Sequence, residues 1–206
     1  MVKVNIANRT LRRFGLFWGI ALCLLVGLGG CDQSSSAASQ QPSYSRVVTL
    51  DASWSVLYSD VKSAKAASDV VVLGAIASIK RVGFTKNDQG QDDGIVFTDY
   101  VFTIERTIVD ERRLLKSPTI LIHQTGGILD GTKYEIQDDP LFQAGEHALL
   151  FLHIYKSGYA FIVGGPSGRF LVQNGLVQPR SPETVMMSIR SRSVPVADFI
   201  TQIQNA

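Results

Sequence analysis

Residues 95–109 read IVFTDYVFTIERTIV. Successive side chains of an extended chain point to opposite faces. Val96, Thr98, Tyr100, Phe102 and Ile104 therefore share one side, and Phe97, Asp99, Val101, Thr103 and Glu105 the other. That is a strand. Just before it, residues 69–79 (DVVVLGAIASI) form a β-branched run suited to a strand buried on both faces. KNDQGQDDG (86–94) is the loop between them. Further along come TILIHQT (119–125), ended by Gly126-Gly127, then EHALLFLHIY (146–155) and GYAFIVGG (158–165), giving about five long strands.

The flanks complete the plan. In GRFLVQNGLVQP (168–179), Asn174-Gly175 lies between two short apolar runs. Both residues accept positive φ, which predicts a two-residue type I′ hairpin with Val172 opposite Val177 and Gln173 opposite Leu176. SWSVLYSDVKSAKAASD (53–69) sets Trp54, Leu57, Tyr58, Val61 and Ala64 at helical spacing, with Ser53 as the cap. VPVADFITQIQNA (194–206) has Pro195 near a helix start and Val196, Phe199, Ile200 and Ile203 on one face. The expectation is a mainly β domain over residues 46–206. It would be a small five-stranded antiparallel barrel of the OB type, with an added hairpin and N- and C-terminal helices. A β-sandwich is the alternative.

The N-terminus is of another kind. Lys3, Arg9, Arg12 and Arg13 precede a chargeless stretch, Phe14 to Gly30, and no acid occurs in the first thirty residues. A basic start, an apolar middle and small residues at the end make a secretory signal peptide, assigned to residues 1–30. Leu28-Gly29-Gly30-Cys31 resembles the lipobox of bacterial lipoproteins. The resemblance implies a diacylglycerol on the Cys31 sulfur, cleavage just before it with Leu28, Gly29 and Gly30 as the recognised residues, and a place on a membrane of the cell envelope. An uncleaved membrane anchor and an ordinary secreted protein are the competing readings. Asp32 to Ser45 is Ser, Gln, Ala and Pro with one charge. Such a stretch buries too little apolar surface to order itself. Residues 31–45 are thus a lipidated cysteine and a flexible tether, reaching about 20 Å at roughly 5–6 Å times the square root of length.

Cleavage changes the charge. Four of the twenty basic residues leave with the signal and none of the eighteen acids does, so a formal +2 becomes 16 against 18, a net of −2. That removes any global electrostatic case for nucleic acid. With Cys23 discarded and Cys31 lipidated, the domain has no disulfide, thiol nucleophile or cysteine metal site.

No motif specifies chemistry. His147 and His153 lie on one side of a strand but roughly 20 Å apart at about 3.3 Å per residue, too far to share an ion. With His123 they read as surface or boundary imidazoles. KNDQGQDDG and EIQDDP (135–140) cluster carboxylates, but aligning Gly94 with the glycine of a calcium loop leaves Gln89 and Tyr100 where acids belong, so they read as solvated loops. GGPSGRF (164–170) lacks the Lys of a phosphate loop and the final glycine of a serine elbow, and reads as a tight turn. ERRLLK, with Arg112, Arg113 and Lys116, is a small basic connection. DVVVLG, FTDYVFTIE, QTGG, FQAGEHALLFL, YAFIVGG and PSGRF, spanning Asp69 to Phe170, resemble an uncharacterised β-rich domain of secreted bacterial proteins, which implies no activity. The expected function is a lipid-anchored extracytoplasmic binding or accessory domain, touching an envelope protein or a ligand through its barrel face or loops. No catalytic residue, metal or cofactor is assigned. The alternative is an envelope hydrolase or metal-dependent accessory enzyme with a site assembled from loops.

Overall fold

The computed structural model describes residues 43–51, 56, 58–180 and 193–206. Leu28, Gly29, Gly30 and Cys31 lie outside the described residues, as do Ser53, Trp54 and Leu57 of the expected first helix. In chain order the elements are β1 (Arg46–Leu50), α1 (Val61–Ala67), β2 (Val70–Lys86), β3 (Asp92–Val109), β4 (Thr119–Thr125), β5 (Gly127–Leu129), β6 (Thr132–Ile136), β7 (His147–Ile154), β8 (Tyr159–Ile162), β9 (Arg169–Gln173), β10 (Leu176–Pro179), β11 (Val194–Pro195) and α2 (Val196–Asn205).

The chain is mainly β. Eight strands form one sheet in the order β11-β10-β9-β7-β2-β3-β4-β8, and β8 pairs back onto β7. Strands β7, β2, β3, β4 and β8 therefore close a ring, the five-stranded barrel expected. One detail of that expectation is corrected: β4 and β8 run parallel while the other four ring pairings are antiparallel. Five strands cannot alternate direction all the way round a ring, so one neighbouring pair must be parallel. One edge of β7 is shared, with Ala148–Leu150 bonded to β9 and Leu152–Ile154 to β8.

Val70, Val72, Ile76, Tyr100, Phe102, Ile122, Leu150 and Leu152 fill the barrel. Val71, Leu149, Phe151 and Phe170 belong to a second cluster with Val61 and Ala64 of α1 and Phe199, Ile200 and Ile203 of α2. The valine run of β2 is thus buried on both faces because the barrel core lies on one side and two helices on the other. Past Ile76 the strand continues as an arm, exposed over residues 77–81 and half-buried over 82–85. In β3 one side, Val96, Thr98, Tyr100 and Phe102, is buried, and Phe97 and Asp99 on the other side are buried as well.

The first helix is shorter than its periodicity predicts. It starts at Val61, capped by Asp60, which accepts the Ser63 N–H at 2.8 Å, and Tyr58 precedes it. An extended Asp at this position satisfies a free N–H of the first turn, and that fixes the start. Pro195 is the residue preceding α2. Sequence reading missed a second sheet, β1-β6-β5, in which β1 runs parallel to β6. It fills the excursion between β4 and β7 and begins at Arg46, where the tether was expected to end.

The hairpin has the predicted register, Val172 opposite Val177 and Gln173 opposite Leu176. Asn174 and Gly175 have φ of 53° and 75°. A Cβ on Gly175 would meet nothing within 4 Å, so only backbone strain opposes substitution. Gly175→Val is expected to destabilise the hairpin by about 1–3 kcal/mol. Faster hydrogen exchange should then be confined to residues 168–179 and the first turn of α2, because the Val196 N–H donates to Gly175 O. Unchanged exchange there would refute the role of the turn.

Candidate binding face and cleft

Register builds the first candidate site. Arg81 pairs with Asp99, and Asp99 with His123, which sets the three side by side on β2, β3 and β4. They lie on the side of β3 that faces away from the barrel core. Asp99 is fully buried beneath its partners. One oxygen accepts from His123 Nδ1 at 2.7 Å, and the other from Arg81 Nε and Nη2 at 3.1 and 2.8 Å. A buried carboxylate needs such partners to offset desolvation. Because a carboxylate only accepts, Nδ1 carries the proton, which fixes the tautomer and the ring orientation of His123.

A second group repeats the pattern. Asp69 Oδ2 accepts from His153 Nδ1 and from the Ile154 N–H, both at 2.8 Å, while Arg112 pairs with its other oxygen. Aromatic rings join the two groups in four steps of 4.7 to 4.9 Å: Phe97 to His123, His123 to Phe161, Phe161 to Tyr155, and Tyr155 to His153. Tyr155, Arg81 and His153 are each about half exposed. The result is a ridge of rings with a cationic side chain at each end, open to solvent at Tyr155, His153 and Arg81 and largely covered at Phe97 and His123.

The third histidine is apart. His147 stands 3.5 Å from Glu105, with both side chains nearly half exposed. The surface or boundary reading holds for all three imidazoles as placement, but it missed the two carboxylates that hold His123 and His153. No group of three or more potential metal ligands occurs among the described residues. The loop acids of KNDQGQDDG have local partners: Asp93 accepts from Thr85 and from the Ile95 N–H, and Asp92 from Lys86. In ERRLLK, Arg112 is committed to Asp69, and the Lys116 Nζ donates to Arg113 O at 2.6 Å.

Reading EIQDDP as solvated is corrected at Asp139, which is buried beside Arg169. GGPSGRF is a tight turn as expected, with Gly164 and Gly165 at positive φ leading into a 3-10 turn. The unforeseen element is its arginine. Arg169 is fully buried and donates to Asp139, to Pro140 O at 2.6 Å and to Glu146 at 2.7 Å. Its guanidinium lies 3.4 Å from the ring centre of Phe142. It pins the β6–β7 connection onto the barrel. Burial raises the pKa of Asp139, opposed by the charge of Arg169.

Beside this cluster opens a cleft of about 400 Å³ between β2, β3, the small sheet and residues 140–144. Val82, Ile128, Leu141, Phe142 and Tyr100 line it, with Arg180 on its wall and the Lys133–Glu135 pair on the small-sheet side. Burial pushes the Tyr100 phenol well above its usual pKa, so it stays a neutral hydroxyl.

No protein-family model matches the chain, and no curated protein is significantly similar to it.

Proposed function

We propose that this chain is a lipid-anchored binding domain of the bacterial cell envelope, held to a membrane by a diacylglycerol on Cys31, which meets an envelope protein through the outer ridge of its barrel. The carrying observation is the ridge itself. Asp99, buried, and Asp69, partly so, each hold an imidazole and an arginine, and the partly buried Phe161 ring and the half-exposed Tyr155 ring lie between them. Fixed rings that expose apolar and polar atoms together are what protein interfaces favour. An acyl-transfer site would need a hydroxyl or thiol against the imidazole. His123 is held by Asp99 and packs on the rings of Phe97, Phe161 and Tyr159, whose hydroxyl accepts from Arg81 at 3.4 Å. The tether from Cys31 to the start of β1 would keep the beginning of the domain within about 20 Å of the headgroups.

Photo-crosslinking in the producing bacterium tests both parts. Benzoylphenylalanine at Tyr155 is expected to give one discrete adduct that the same group at Val47, exposed on β1, does not. The adduct should weaken with Phe161→Ala and disappear with Cys31→Ser, which should also lose a fatty-acid label. Equal adducts from both positions, or none from Tyr155, would overturn the ridge as the interface. Retained label in Cys31→Ser would overturn the anchor.

A further inference from the structure

We propose that the cleft between the barrel and the small sheet is a binding site for a small planar aromatic anion, such as an aryl carboxylate, held by Arg180. The argument begins with an imbalance of hydrogen bonds. Buried side-chain donors in folded proteins nearly all find acceptors, so each orphan calls for an explanation. Among the described residues two buried side-chain atoms lack a partner, and they are Arg169 Nε and Arg180 Nε. Both arginines converge on Glu146. Arg169 takes the carboxylate at 2.7 Å, which leaves Arg180 Nε at 3.9 Å, beyond hydrogen-bond distance. Arg180 is thus held by Glu146 less closely than Arg169 is.

Arg180 supplies what an incoming acceptor needs. It lines the cleft and its side chain is 26% exposed. Its planar guanidinium is the group that suits a carboxylate pairwise. The competing charges are already matched: Glu135 by Lys133 at 2.5 Å, and Glu146 by Arg169. An incoming anion would therefore meet a cation whose ion pair among the described residues, to Glu146, is 3.9 Å long.

The rest of the cleft selects the body of the ligand. Val82, Ile128 and Leu141 give apolar walls, and Phe142 and Tyr100 present rings packed edge to face at 5.2 Å. A volume of about 400 Å³ is at the lower end for ligand pockets, room for one or two fused rings and little more. The ladder between β2 and β3 also slips here, with register shifts between Ile76 and Ser78 and between Ile79 and Arg81. Bulges of this kind re-aim side chains and recur beside binding sites. The inference does not depend on the ridge or on the anchor.

The test is ¹⁹F NMR on the full chain in nonionic detergent, with 6-fluoro-2-naphthoate as probe and the uncharged 6-fluoro-2-naphthamide as its control. Partition into micelles is the same for every variant, so differences between variants report the site. The naphthoate line should broaden saturably with the wild type and the amide line should not. Arg180→Gln should weaken naphthoate about tenfold, the loss of a charge-assisted contact, and Arg180→Lys, which keeps the charge but not the fork, should fall between Gln and the wild type. Ile128→Trp, which fills the cleft from the small-sheet side, should abolish binding with an unchanged circular dichroism spectrum. It decides the matter if Arg180→Gln proves unstable. Equal binding of acid and amide, no broadening with the wild type, or full binding by a folded Ile128→Trp would each overturn the site.

Discussion

Arg169→Met is expected to destabilise the protein by about 3–5 kcal/mol, the usual cost of breaking a buried ion pair by removing one partner. The guanidinium is wholly buried and neutralises Glu146 and Asp139, each side chain only 5% exposed. Methionine fills much of the same space but leaves two carboxylates facing each other with little solvent. It also removes the shorter of two hydrogen bonds to Pro140 O, leaving the one from Gln124, and uncovers Phe142. A typical domain has only about 5–15 kcal/mol in hand, so this substitution alone removes a large fraction of the folded population near body temperature. Urea unfolding followed by far-ultraviolet circular dichroism measures it. The triple variant Arg169→Met, Asp139→Asn, Glu146→Gln should recover most of the loss, because it removes the charges together. A single variant within 1 kcal/mol of wild type would mean that water already solvates the cluster.

The same cluster gives stability a pH slope. Burial raises the Asp139 pKa above its unfolded value of 3.8, with Arg169 acting against the shift. The folded protein therefore holds this proton to a higher pH than the unfolded chain does. The contribution is full below the unfolded value and is lost as pH rises through the folded one. Asp139→Asn should flatten that part of the profile.

How far the sequence could be read depends on which interactions are local. DVVVLG announced a strand buried on both faces, and QNGL gave a turn with its register, because period and turn chemistry act over a few residues. The ridge was different. Asp99 stood in plain view in the polar phase of FTDYVF, as a lone acid in an aromatic strand. Its meaning required knowing that Arg81 and His123 would be its cross-strand neighbours, and a shift of one residue would have changed both. Arg169 was hidden more deeply, since one of its acids lies 30 residues away in a loop that reads as solvated and the other 23 away at the start of a strand. The sheet of β1, β5 and β6 escaped because its strands have five, three and five residues, too few for a period to declare itself. Asp60 took over the helix start for a comparable reason. Several polar residues in SWSVLYSD can cap, and packing chooses among them.

Gly74→Ala is expected to cost about 3 kcal/mol or more, from a single methyl group. A Cβ at Gly74 would lie 2.0 Å from Thr103 O, 2.9 Å from Phe102 Cε1 and 3.0 Å from the Thr103 carbonyl carbon. The closest obstacle is backbone, which cannot swing aside as the end of a side chain can. Relief has to come from parting β2 and β3, and Gly74 sits where both β3 and β7 bond to β2, beside a register shift. The distortion thus reaches the centre of the ring and should lower the global unfolding midpoint rather than fray one edge. Gly83 on the same strand supplies the control. Its Cβ would touch only the Phe97 ring, at 3.7 Å, an ordinary contact. Since glycine within a strand costs roughly 0.5–1 kcal/mol relative to alanine, Gly83→Ala should be neutral or slightly stabilising. Thermal melts of the two variants should therefore move apart by many degrees. If both shift alike, the close approach of β2 to β3 at Gly74 is not what holds this wall of the barrel.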